Sequence, residues 1–191
     1  FYKDGGPIIG IQIENEYGHA GGFRGKKGHE QMAILKKMLV DIGFDVPFYT
    51  ATAWGGGMIV DQEMLPVFGG YVDAPWSNSL RELPANQNFV FSPNLNDPLI
   101  ASDFNEAQNY LEDEQIDFSM YPYLTAELGG GLQVTKKRRP FVRAKDTEAM
   151  AIVKLGSGAN LLGYYMYHGG TNPDGRKSNL QESTATGSHT D

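Results

Sequence analysis

The chain of 191 residues contains no cysteine, and this absence removes several kinds of chemistry at once. Disulfide frameworks, thiol nucleophiles and cysteine-ligated metal sites are excluded. The four histidines show no spacing typical of a metal site, so the sequence predicts no metal. A Gly-x-Ser-x-Gly elbow, the commonest signal of a serine hydrolase, is also missing.

Long apolar runs and an excess of basic residues are missing as well. No run is long enough to span a bilayer. The 16 Lys and Arg residues are outnumbered by 23 Asp and Glu residues, which gives a formal net charge of -7 at pH 7. Because a nucleic-acid surface needs a basic field, nucleic acid is not an expected partner. Because no run could span a bilayer, a membrane is not an expected partner either. The start methionine is missing too, and we interpret the chain as a piece of a longer protein.

The residues that are present predict an α/β fold. Hydrophobic residues make up 40% and charged residues 20%, a globular composition. Apolar, β-branched runs bounded by turn residues predict strands at 8–13, 46–51, 70–73, 123–127 and 161–167. Helices are expected at 30–42 and 147–155, the second with Asp146 as its N-cap, and at 103–115. Strands that alternate with helices favour a parallel sheet.

Glutamates end two of these strands. Glu14 and Glu16 close the first strand, and Glu127 closes the fourth. Parallel-sheet enzymes place their chemistry at the carboxyl ends of strands, and glycoside hydrolysis needs a pair of carboxyl groups. The alternative is that these acids are exposed and pair with lysine or arginine, as most acids do. Since side chains alternate along a regular strand, Glu14 and Glu16 would share a face, and the pattern does not say which is the acid.

Two further features have alternative interpretations. Trp54 follows the second strand and either stacks on a sugar ring or packs under a loop. The basic residues at 136–139 are interpreted as a solvated run. The alternative is that Arg138 or Arg139 pairs with a carboxylate at the rim of the sheet and orients it.

Three segments resemble one enzyme family. The segment GGPIIGIQIENEYG at residues 5–18 resembles the signature of the family 35 glycoside hydrolases, the β-galactosidases. The segments YLTAELGGG at 123–131 and YMYHGGTN at 165–172 are similar to the family's nucleophile strand and eighth-strand motif, the former in its bacterial-type form. The resemblance implies a (β/α)8 TIM barrel. Residues 1–191 would be the C-terminal part of that catalytic barrel and would cover about strands four to eight.

The resemblance also implies roles for individual residues. Glu16 matches the acid/base and Glu127 the nucleophile. Asn15 matches the contact to the sugar 2-hydroxyl, Tyr165 matches a tyrosine close to the sugar, and Glu14 becomes a supporting residue. For Asn15 and Glu16 both to face the sugar, the strand has to stop alternating, so we predict a bulge or bend at its end.

The activity implied is that of a retaining glycosidase that releases terminal β-linked galactose and needs no cofactor. Its partner would be a β-galactoside, and the family resemblance favours a periplasmic or extracellular location. Retention requires carboxyl groups roughly 5–5.5 Å apart. The alternatives are a same-barrel enzyme with another sugar preference, such as a β-glucosaminidase, and an inactive carbohydrate-binding homologue.

Overall fold

The computed structural model describes most of the chain, apart from several segments. The described residues are 5–19, 21–51, 57–60, 62–73, 80–82, 86–91, 118–129, 133–134, 138–170, 172–179, 183–185 and 189–190. The helix predicted at 103–115 and the side chain of Trp54 lie outside them. Within these residues, every helix is too short or too polar to cross a membrane.

A four-stranded parallel sheet forms the centre of the described structure. Its strands are β1 (Ile11–Asn15), β2 (Phe48–Ala51), β3 (Leu65–Gly70) and β4 (Thr125–Leu128), and they lie side by side in the order of the sequence. Parallel strands in sequential order form the wall of a (β/α)8 barrel. The sheet is therefore consistent with part of such a barrel, and the carboxyl ends of all four strands meet at one rim.

Two strands lie elsewhere than the sequence pattern predicts. The first begins at Ile11 rather than at residue 8, and it continues to Asn15. The third occupies Leu65–Gly70 rather than 70–73. Proline is depleted in strands, so the presence of Pro66 keeps a composition rule from predicting a strand in this segment. The structure nevertheless buries all of it from Pro66 onwards, next to β2.

The segment after the last helix continues the sheet without forming a regular strand. It runs parallel to β4 through isolated bridges at Leu161 and Tyr164, in place of the strand predicted at 161–167. The backbones approach so closely that a Cβ on Gly163 would lie 2.6 Å from the Thr125 carbonyl oxygen. The Thr125 hydroxyl accepts a hydrogen bond from the Gly163 N–H at 3.1 Å. A side chain thus replaces part of the backbone ladder.

Two α-helices lie within the described ranges. Helix α1 (Gly25–Asp41) lies between β1 and β2, and helix α2 (Ala144–Gly156) follows β4. The predicted N-cap of α2 is wrong, because Arg143 is the capping residue and Asp146 is in the first turn. The Asp146 carboxylate accepts the Arg143 N–H at 2.8 Å, which satisfies a donor that the helix leaves unpaired.

The main hydrophobic cluster lies beside the sheet. It joins α1 to the segments that flank β2 and β3, and its buried members are Met32, Met58, Ile59, Met64 and Tyr121. On α1, Met32 is fully buried, whereas Ile42, directly after the helix, is exposed. A separate antiparallel pair, β5 (Gln133–Val134) with β6 (His189–Thr190), completes the described strands.

Candidate active site

The end of β1 carries an extra residue. Three steps along β1, from Gln12 to Asn15, face two steps along β2, from Tyr49 to Ala51. The buried Thr50 hydroxyl donates to the Glu14 carbonyl oxygen at 3.2 Å and so satisfies an acceptor at this irregularity. The predicted bulge or bend at the end of this strand is confirmed.

Glu16 lies directly beyond the bulge in a left-handed backbone conformation. Its φ is 52°, a region that costs a non-glycine residue about 1–2 kcal/mol. Its carbonyl oxygen accepts the His19 N–H at 2.9 Å, which closes a tight turn. Gly18 in this turn also has a positive φ, and a Cβ there would lie 2.5 Å from the Met58 side chain. The turn therefore fixes where the Glu16 side chain begins.

Glu127 lies on β4, and this strand also has an irregular register. One step along β3, from Phe68 to Gly69, faces two steps along β4, from Thr125 to Glu127. A Cβ on Gly69 would lie 2.6 Å from the Glu127 carbonyl oxygen, so only glycine permits this close approach. Each of the two glutamate-bearing strands therefore has one extra residue relative to a neighbour.

A tyrosine that the sequence reasoning did not single out completes the surroundings of Glu127. The Tyr71 hydroxyl donates a hydrogen bond of 2.6 Å to Glu127 Oε1, and Tyr71 itself is only 5% exposed. The ring of Tyr165 packs edge-to-face against that of Tyr71, with centroids 5.9 Å apart. Tyr165 is thus brought next to the partner of Glu127. The available signal for Tyr71 was its position directly after Gly69-Gly70 at a strand end.

Both carboxyl groups have a raised pKa. Burial raises the pKa of Glu16. The pKa of Glu127 is raised, first by burial and further by the charge of Glu16, while the hydrogen bond from Tyr71 acts in the opposite direction. Among the described residues, no donor contacts the Glu16 carboxyl. The hydrogen bond from Tyr71 favours the ionised form of Glu127, whereas burial favours the protonated form of both carboxyl groups.

Asn15 and Glu14 differ in their contacts: the side chain of Asn15 accepts a hydrogen bond, whereas Glu14 is contacted at its backbone. The Gln12 side-chain amide donates to Asn15 Oδ1 at 3.0 Å and to the Glu14 carbonyl oxygen at 3.2 Å. Asn15 is exposed beside Glu16, where a ligand could reach it. For Glu14, the described contacts involve its backbone carbonyl and not its carboxyl group. The support predicted from its side chain is therefore not seen in this part of the chain.

Arg138 corrects the interpretation of the basic run as solvated. Its guanidinium binds both carboxylate oxygens of Asp73, at 2.9 and 3.1 Å, and also donates to the Arg81 carbonyl oxygen at 3.1 Å. The side chains of this ion pair are only 14% and 26% exposed. The alternative interpretation is confirmed for Arg138: it pairs with a carboxylate two residues beyond Tyr71.

The arrangement as a whole offers two carboxyl groups with raised pKa values at one rim of a parallel sheet. Carboxyl groups tuned in this way serve as acid, base or nucleophile near neutral pH. In the described ranges, no group of three or more His, Asp or Glu side chains could hold a metal ion. The groups that this site offers for chemistry are the two carboxyl groups and the neighbouring Tyr71 and Tyr165.

Comparison with known protein families gives a match over most of the chain. The family model for glycosyl hydrolases family 35 matches residues 1–187, nearly the whole chain. No solved structure matches the chain. The match spans both glutamates, Tyr71 and Tyr165.

Proposed function

Because the chain belongs to glycosyl hydrolases family 35, and is therefore a glycoside hydrolase with a TIM-barrel-type fold, we propose that it releases terminal β-linked galactose with retention of configuration. In this proposal residues 1–191 are the C-terminal part of the catalytic barrel. The substrate is a β-galactoside of an oligosaccharide or glycan, and the chemistry needs no cofactor.

One observation carries the proposal: Glu127 has a hydroxyl donor at 2.6 Å and a second carboxyl group, that of Glu16, close enough to raise its pKa. An ionised carboxylate held in place by a hydrogen bond suits a nucleophile. A half-buried carboxyl group with a raised pKa suits a proton donor. A retaining glycosidase needs this combination.

The proposed reaction has two steps. In the first, Glu127 attacks the anomeric carbon while Glu16 gives its proton to the departing glycosidic oxygen. A glycosyl ester of Glu127 forms, and the alcohol leaves. In the second, Glu16 removes a proton from water, and the water oxygen attacks the anomeric carbon. The ester bond breaks, so Glu127 is again a carboxylate and Glu16 again an acid.

Sugar contacts are proposed for three further residues. Asn15, next to Glu16, would bind the 2-hydroxyl group, whose hydrogen bonds strengthen in the transition state. Tyr165, 44% exposed and in contact with Tyr71, would lie beside the sugar and the nucleophile. Trp54 would stack on an apolar sugar face.

The test is a stereochemical one. The intact polypeptide would be assayed with p-nitrophenyl β-glycosides of galactose, glucose, N-acetylglucosamine and arabinose, and the first-formed anomer would be followed by proton NMR. We expect the galactoside to be cleaved fastest and β-galactose to appear first. Faster cleavage of another glycoside would replace galactose in the proposal. First appearance of the α-anomer would remove Glu127 as the nucleophile.

A further inference from the structure

Tyr71 is held by its backbone as well as by its side chain. The side-chain amides of Asn86 and Asn88 both donate to the Tyr71 carbonyl oxygen, at 2.5 and 3.2 Å. Asn88 lies in a short 3-10 helix, Gln87–Phe89, that packs closely against the end of β3, since a Cβ on Gly70 would lie 2.6 Å from Asn88 Oδ1. The peptide that bears the Tyr71 ring is therefore fixed from outside the sheet.

Behind Asn88 lies a buried lysine. The amine of Lys154, on α2, donates to Asn88 Oδ1 at 2.6 Å, and both residues are only 1% exposed. Lysine is rarely buried, because its amine loses hydration that few protein sites replace. The amine at this position therefore calls for an explanation beyond packing.

The chemistry of the two side chains supplies one. A lysine amine only donates hydrogen bonds, so it fixes the Asn88 amide with its oxygen towards Lys154. The amide nitrogen then faces the Tyr71 carbonyl oxygen. Without Lys154 the amide could turn over and place its oxygen against that carbonyl. The contacts form a continuous series from Lys154 through Asn88 and Tyr71 to Glu127.

We propose that Lys154 and Asn88 are positioning residues that hold the Tyr71 hydroxyl against the nucleophile Glu127. This inference rests on the proposed function for its kinetic consequence, but the geometry it describes can be tested separately. The geometry predicts that breaking the series at Asn88 has the same effect on Glu127 as removing the Tyr71 hydroxyl.

The selective variant is Asn88→Asp. It has the same shape and still accepts a hydrogen bond from Lys154, but it places an oxygen where an N–H faces the Tyr71 carbonyl. Since a misplaced catalytic group costs up to about 100-fold, we expect the partial loss here to lower kcat/KM about 10-fold. The acidic limb of the pH profile of kcat/KM should move to higher pH, because a weaker hydrogen bond from Tyr71 lowers the pKa of Glu127 less. Tyr71→Phe should move it in the same direction.

A double variant separates positioning from charge. The added carboxylate of Asn88→Asp could raise the pKa of Glu127 directly, and that effect would persist without the Tyr71 hydroxyl. An effect that acts through the position of the Tyr71 hydroxyl would disappear when that hydroxyl is removed. Asn88→Asp should therefore have almost no further effect in a Tyr71→Phe background. Full additivity of the two substitutions would overturn the proposal. Lys154→Met provides a second break and should shift the limb in the same direction. Because it removes a positive charge, it is also tested in the Tyr71→Phe background, where it should have almost no further effect.

A variant elsewhere in the core controls for loss of stability. Met32→Ala removes a fully buried side chain from the cluster on α1 and should lower stability without moving the acidic limb. A shift of the limb in Met32→Ala equal to that in Asn88→Asp would mean that general loosening is the cause, and would refute the positioning role.

A carboxyl NMR titration gives a readout that needs no activity. Among the described residues, the groups shown to act on Glu127 are Glu16, beyond the end of β1, and Tyr71, at the end of β3, and Tyr165 contacts Tyr71. The titration would follow both carboxyl groups. We expect the pKa of Glu127 to rise in Asn88→Asp and Lys154→Met, and not in Met32→Ala. An unchanged pKa would refute the positioning role. A wild-type protein without glycosidase activity would refute the proposed function instead.

Discussion

The ends of β1 and β4 both present a glutamate, but they hold it in different ways. At β1 the backbone positions the glutamate, because a bulge is followed by Glu16 at φ 52° and by a tight turn. At β4 a side chain holds the glutamate, because the Tyr71 hydroxyl donates a hydrogen bond to Glu127. Burial raises the pKa of both carboxyl groups, and the difference between the two strand ends is that only Glu127 has a hydroxyl donor that favours its ionised form.

The largest expected effect is at the β4 end. Glu127→Gln keeps the shape of the side chain but removes the nucleophile. We expect kcat to fall on the order of 10⁵-fold, as for other covalent nucleophiles. Hydrolysis of p-nitrophenyl β-galactoside measures it, and no glycosyl-enzyme should be trapped by a slow substrate. A variant that still forms the covalent intermediate would show that Glu127 is not the attacking group.

The β1 end should respond differently to the same change. Glu16→Gln removes a proton donor, so we expect a loss of about 10²–10⁴-fold with poor leaving groups. The loss should be small with dinitrophenyl galactoside, whose leaving group needs no proton. Glu14→Gln, two residues earlier and on β1, is the matched control and should stay close to wild type. Equal losses for both leaving groups would contradict the role of Glu16 as an acid.

The hydrogen bond that distinguishes the β4 end can be removed alone. A hydrogen bond to a charged group contributes roughly 1.5–3 kcal/mol, so Tyr71→Phe should lower kcat/KM about 10-fold or more. The bond lowers the pKa of Glu127, so its loss raises that pKa, and more acid stays protonated at low pH. The acidic limb of kcat/KM should therefore move to higher pH. Tyr49→Phe in β2 is the control, and a limb that stays in place in Tyr71→Phe would contradict the assignment.

The smallest effect concerns stability and should have opposite signs at the two ends. Glu16→Gly relieves a left-handed conformation, and we expect a gain of about 1 kcal/mol in the free energy of unfolding. Residue 127 lies in a strand, so Glu127→Gly should lower the free energy of unfolding by about 0.5–1 kcal/mol through the backbone freedom of glycine alone. Urea unfolding of the intact polypeptide measures both. A loss of stability in Glu16→Gly would show that its backbone carries no strain.

Much of the site could be predicted because its signals are local. The apolar run before Glu16 and the one before Glu127 each predict a strand that ends in an acid. The bulge followed from the need for two adjacent side chains to share a face, and the register of β1 confirms it. The third strand was misplaced because Pro66 hides a buried segment from a rule based on composition.

The partners of these residues could not be predicted in the same way. Tyr71 and Glu127 are 56 positions apart, and Arg138 and Asp73 are 65 apart. Nothing in the sequence around Lys154 distinguishes it from a solvated lysine on a helix, yet it is buried against Asn88. Such pairs depend on which strand ends and loops are brought together, and that is a property of the whole fold.

The sequence by itself determined the chemical inventory: an acid at the end of each of two strands, an asparagine beside one of them, and no thiol. These are choices of residue type and local period, which a chain carries regardless of how it folds. Only the tertiary structure decided how the two acids differ. The pKa of Glu16 depends on burial, and the pKa of Glu127 depends on burial, on the Tyr71 hydroxyl and on the charge of Glu16. These surroundings exist only once distant segments are in contact.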